Sequence, residues 1–189
     1  MFTAPKYQLR KKFFKLVGAD FDIYNEDGTL AAFCHQQGFK LKEALTCYSD
    51  QAKTDALFTI QARNILDFGA TYDVTDAKTG EVVGSLRRKG LKSMLQDEWM
   101  ILNNKEEQIG IVKEDSLALA LVRRMLTNLV PQNYDGFIGD QYVADFKQNF
   151  NPFVYKLNID FSKDTQGLLD RRLGLAAAIL LAAIEGKQK

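Results

Sequence analysis

The stretch LGLAAAILLAAIE, Leu173 to Glu185, limits the fold more than any other part of the chain. It is apolar without a break from Leu173 to Ile184, about 12 residues, whereas a helix needs about 20 to cross a bilayer. Upstream it meets Asp170, Arg171 and Arg172, and downstream Glu185, each costly in hydrocarbon. On a helical wheel Leu173, Leu175, Ile179, Leu180, Leu181 and Ile184 point in nearly every direction, the pattern of a helix enclosed by protein. Gly174, Ala178 and Ala182 recur at every fourth position and let one wall approach closely. The same spacing serves helix pairs in membranes, but the length favours a buried core. Asp164 and Thr165 are expected to cap its start, and Gly186, Lys187 and Lys189 to end it.

The remaining sequence has to supply the enclosure, and it reads as hairpins. Three segments pair short alternating runs across a polar turn: FDIYNEDGTLAAF at Asn25 to Gly28, YDVTDAKTGEVVGSL at Asp76 to Gly80, and WMILNNKEEQIGIV at Asn103 to Glu107. Period-2 alternation in Phe39 to Lys42, Tyr72 to Thr75 and Tyr155 to Phe161 gives each strand one apolar and one wet face. With Tyr7 to Val17, Leu57 to Ala62 and Phe137 to Phe146, the total is about a dozen strands, enough for a closed barrel. Pro5, Pro131 and Pro152 fall between alternating segments, where a missing N–H is tolerated. Ser116 to Leu126, SLALALVRRML, breaks this grammar. It places Leu117, Leu121, Val122, Met125 and Leu126 on one face of an amphipathic helix. The expected fold is mainly β (α+β): a roughly twelve-stranded closed antiparallel barrel enclosing the C-terminal helix, with this additional helix outside, as a single domain over 1–189.

Composition narrows the partners. Lys and Arg total 25 against 24 Asp and Glu, so bulk nucleic-acid binding is not expected and any charged surface is local. Cys34 and Cys47 lack the spacing of a redox pair or zinc knuckle and suit a reducing compartment, and the single His35 cannot build a histidine-rich metal site. Charges in MFTAPKYQLRKKFFKL interrupt what a secretion signal would need to be apolar. Cytoplasmic placement is expected, peripheral at a membrane where the chain meets lipid, with no transmembrane span.

The opening KYQLRKKFFKLVGADFDIYNEDGTL, the central YDVTDAKTGEVVGSLRRKGLKSMLQDEWMIL, IGIVKED, and the closing LDRRLGLAAAILLAAIE together resemble the LURP-one-related proteins of the Tubby C-terminal-like superfamily, which also includes phospholipid scramblases. The resemblance implies a twelve-stranded barrel around a hydrophobic C-terminal helix. Of activity it implies less: Tubby domains bind phosphoinositides, and scramblases act on bilayers with calcium.

The strongest candidate site is SLRRKGLKSML, where Arg87, Arg88, Lys89 and Lys92 stand beside Leu91, Met94 and Leu95. Cations near an anionic leaflet gain about 1 kcal/mol each, and neighbouring apolar residues can dip into the interface. The competing reading is a solvated strand-end loop. Arg123 and Arg124 are weaker, since cations at a helix end complement its dipole without a ligand. Asp160, Asp164 and Asp170 fall where scramblases carry a calcium segment, but IDFSKDTQGLLD lacks the alternating oxygen ligands of a calcium loop, and the three read as strand-end and cap acids. NEDG at Asn25 to Gly28 is a turn before it is a cation site. No nucleophile elbow or P-loop is present, and adjacency of His35 to Cys34 does not make a dyad. The expectation is therefore a non-enzymatic module without catalytic residue, metal or cofactor, whose partners are anionic phospholipid headgroups. The alternatives are a scramblase-like membrane protein, or a scaffold that binds a protein partner through the barrel exterior or an exposed edge strand.

Overall fold

The structure, a computed structural model, describes residues 2–14, 18–37, 45–63, 69–89, 98–115, 131–149 and 154–185. Twelve strands follow in chain order: β1 Lys6–Phe14, β2 Gly18–Asn25, β3 Leu30–Gln37, β4 Leu45–Tyr48, β5 Ala56–Ala62, β6 Thr71–Asp76, β7 Val82–Arg88, β8 Glu98–Leu102, β9 Gln108–Glu114, β10 Asn133–Ile138, β11 Gln141–Asn149 and β12 Tyr155–Asp160. Each pairs antiparallel with its neighbours in sequence, and β12 closes on β1, giving one closed barrel. Closure leaves no strand edge among the described residues, so the alternative of a partner added at an exposed edge strand has no template there.

Alternation decides which face turns inward. Tyr7 and Leu9 of β1, Phe21 and Ile23 of β2, Leu86 of β7, Ile101 of β8, Phe146 of β11 and Leu157 of β12 are all buried. Outward positions on the same strands hold Gln8, Arg10, Asp20, Lys147 and Asn158. An apolar interior behind a polar wall is the reverse of the apolar outer band of a transmembrane barrel.

The interior of a twelve-stranded barrel is wider than side chains alone can fill. Helix α1, Arg171–Leu180, continues as a π-helical turn through Leu181–Glu185 and fills it. Leu173 to Ala182 are buried without exception, each large side chain contributing about 1.5–3 kcal/mol on leaving water. Of the small residues, Gly174 acts as expected. A Cβ on Gly174 would lie 2.6 Å from the Phe161 ring, and Gly84 of β7 leaves the room that Leu173 occupies. Among the described residues no helix is long and apolar enough to cross a membrane.

Several local expectations change. Asp170, not Asp164 or Thr165, caps α1, accepting the Arg172 N–H at 2.8 Å. Asp164 instead holds the preceding turn through the N–H groups of Leu168 and Leu169. Phe137 to Phe146 spans the β10–β11 hairpin, turned at Gly139 with φ +53°, a value glycine reaches without steric cost. The cysteines are joined: Cys34 and Cys47 stand opposite each other on β3 and β4 and form a disulfide. Both are buried in an inward row between Phe21 and Phe58. The helix expected over Ser116 to Leu126, with Arg123 and Arg124, and the alternating Phe39 to Lys42 lie outside the described residues.

Candidate functional site

The two ends of the barrel differ. At one, tight hairpins join the strands, at Asn25–Thr29, Asp76–Glu81, Asn103–Glu107 and Ile138–Gln141. The chain enters the lumen here, through Phe161 to Asp170. A salt-bridge network fixes the entry: Arg171 Nη1 lies 2.6 Å from Asp164, while Arg172 bridges Asp170 at 2.7 Å and Asp76 at 2.6 Å. Arg171 also lies over the Phe161 ring, 4.7 Å from its centroid. Arg172 thus ties the helix start to the β6–β7 turn, whose Asp76 carboxylate already accepts the N–H groups of Lys78 and Thr79.

All three aspartates once weighed for calcium are engaged in this framework. Asp160 accepts the Ser162 N–H at 2.8 Å and faces Lys6 at 3.6 Å. Its partial burial opposes the charge, but Ser162 and Lys6 outweigh it and hold the carboxyl below the ordinary range. Asp170 behaves likewise, with Arg172 overcoming a larger burial penalty. No group of three His, Cys, Asp or Glu among the described residues is arranged to hold a metal ion. His35 pairs through Nδ1 with Asp20, at 2.6 Å on the outer wall, and Cys34 points the other way, into the lumen.

The candidate cations end β7 at the opposite rim, toward which α1 runs. Alternation separates Arg87 from Arg88. Arg87 faces outward and donates from Nε to Thr71 Oγ1 at 3.0 Å, whereas Arg88 stands opposite the inward Trp99. Lys89 lies beyond the strand and pairs with Glu98 at 2.5 Å. These three occupy one strand end without forming a bare cluster, and Lys92 lies outside the described residues, as do Leu91, Met94 and Leu95. Such an exposed pair as Lys89–Glu98 contributes about 0–1 kcal/mol and exchanges readily for another anion.

Two cations that the sequence reading passed over have firmer settings. Lys11 is buried and reaches inward to the helix. The readable signal was phase, because Lys11 shares the inward face of Tyr7 and Leu9. Arg10, on the outward face, lies over the Tyr24 ring at 4.6 Å from its centroid. No local signal announces that contact, which depends on the β1–β2 register.

A closed antiparallel barrel threaded by its own terminal helix defines the class of protein. A family model for LURP-one-related proteins matches residues 30–182, and the chain belongs to that family. No curated protein matches the chain in sequence.

Proposed function

We propose that this chain is a non-enzymatic binding module that docks reversibly, as a peripheral protein, on an anionic phospholipid surface. The contact is the rim carrying Arg87, Arg88 and Lys89, together with Lys92, which lies outside the described residues. One observation carries this reading: α1 fills the lumen, so a ligand is met from outside, and β7 ends on Arg87 and Arg88, with Lys89 next in the chain, at the rim away from the tight turns. Each cation brought near an anionic leaflet contributes about 1 kcal/mol. The polar outer wall disfavours the scramblase-like alternative, whose barrel or helix would have to face lipid.

Co-sedimentation with phosphatidylcholine vesicles, with and without phosphatidylserine, tests the proposal. Binding is expected only with the anionic lipid. It should weaken when the four cations become Gln and when salt rises, because the screening length falls from about 10 Å at 0.1 M to about 3 Å at 1 M. Binding that survives both changes would reject this rim. Absence of binding to any vesicle would favour a protein partner on the barrel exterior.

A further inference from the structure

A cleft of about 450 Å³ opens on the outer wall where β12 closes on β1, bounded by β2 and β11. That volume lies within the range of small-ligand sites, roughly 300–1,000 Å³. β1 stands six strands from β7 in either direction around the barrel, so the cleft faces away from the proposed membrane-docking strand.

Arg10 dominates its chemistry. The guanidinium lies over Tyr24, and Nε donates to Gln8 Oε1 at 2.8 Å, which together fix the plane of the fork. Gln8 is itself held, donating to Asn158 Oδ1 at 3.0 Å. Among the described residues neither Nη atom of Arg10 has a protein acceptor. Directly across the strand pair, outside the cleft's own lining, stands Lys156, a second cation on the same face. Like charges in that position oppose each other at a cost to the sheet. The two lysines that line the cleft have carboxylates: Lys6 has Glu26 and Asp160, and Lys147 has Asp145. Arg10 and Lys156 have none among the described residues. These two cations without a carboxylate lie together at one end, and the rest of the lining offers amides and carboxylates suited to hydroxyl groups.

We infer that this cleft binds a single phosphate group carried on a hydroxylated scaffold, gripped by the Arg10 fork with Lys156 beside it and with Gln8 and Asn158 at the hydroxyls. An oriented guanidinium is the group best matched to phosphate oxygens. Elsewhere in the cleft the carboxylates of Glu26, Asp145 and Asp160 outnumber Lys6 and Lys147, so one anionic group is accommodated and a second is not. The inference does not depend on the docking rim.

Calorimetry with glycerol phosphate, inorganic phosphate and glycerol tests it, alongside phosphatidylcholine vesicles containing phosphatidic acid. Glycerol phosphate should bind saturably, and glycerol should not. Arg10→Gln and Lys156→Gln should each weaken binding about tenfold or more, with melting temperatures unchanged, and Arg87→Gln with Arg88→Gln should leave it intact. Saturable binding of glycerol phosphate identifies a free phosphoester as ligand. Arg10-dependent binding seen only with phosphatidic acid vesicles identifies a lipid headgroup. The inference is overturned if neither probe binds, if glycerol binds as well as its phosphate, or if Arg10→Gln and Lys156→Gln leave the affinity unchanged.

Discussion

Lys11 Nζ donates a 2.6 Å hydrogen bond from the barrel wall to the carbonyl oxygen of Ala182 in the last turn of the buried helix. Carbonyls in that turn lack intrahelical partners unless something else supplies a donor. A cation at the C-terminal end also complements the helix dipole. Lys11→Met keeps the aliphatic stem and removes the donor, leaving the carbonyl unsatisfied in an apolar setting. It should cost about 1–3 kcal/mol in urea unfolding. An unchanged midpoint would show that the bond contributes nothing.

The helix also determines which wall residues are tolerated. A Cβ on Gly84 would overlap the Leu102 carbonyl oxygen and lie 2.9 Å from Leu173 Cδ1. Gly84→Ala should therefore lose about 1–3 kcal/mol by overpacking, and Ala178→Leu, inside the same lumen, a similar amount. Neutral outcomes at both positions would mean that α1 does not press on the wall.

Strand and helix placement was readable because burial imposes periods. Phe21 and Ile23 alternate with Asp20 and Asp22, and the run from Leu173 to Ile184 is apolar all round, so inward and outward faces follow from local sequence. The same rule would have separated Arg87 from Arg88, adjacent in sequence and opposed in space. What resisted reading depends on register between distant segments. The pairing of Cys34 with Cys47, the stacking of Arg10 on Tyr24 and the bridge from Arg172 to Asp76 are contacts that no local pattern encodes. Asp164 was misjudged as the helix cap because a second turn intervenes before Asp170.

The disulfide crosses a short seam. β3 and β4 share only the register pairs Phe33 with Tyr48, Cys34 with Cys47, and His35 with Thr46 among the described residues. A crosslink closing a loop of this size stabilises by up to about 3 kcal/mol. Reduction should lower the melting temperature, and Cys34→Ala with Cys47→Ala should reproduce that loss and abolish the reductant effect. If mass spectrometry shows two free thiols after reduction and the melting temperature is unmoved, the crosslink does not support this seam.

Acid should loosen the helix entry. Burial opposes the charge of Asp170, but Arg172 outweighs it and sets the folded pKa below the ordinary value. Asp76 is lowered by the N–H groups of Thr79 and Lys78 and by Arg172. For carboxyls depressed in this way, the stabilisation is complete above the unfolded pKa, about 3.9, and is lost as pH falls through the folded value. Urea midpoints should therefore drop below about pH 4, and Asp170→Asn should be weaker at neutral pH with a shallower acid loss. Parallel pH curves for the two proteins would remove Asp170 from the account.

Hydrogen exchange of the amides from Leu173 to Ala182, with and without phosphatidylserine vesicles, tests most directly whether the terminal helix is barrel core rather than membrane anchor. These amides should exchange only with global unfolding, together with β1, β7 and β12, and vesicles should leave both sets unchanged. Loss of strand protection on adding vesicles, with the helix remaining protected, would mean that the helix leaves the lumen for the bilayer and would contradict the account.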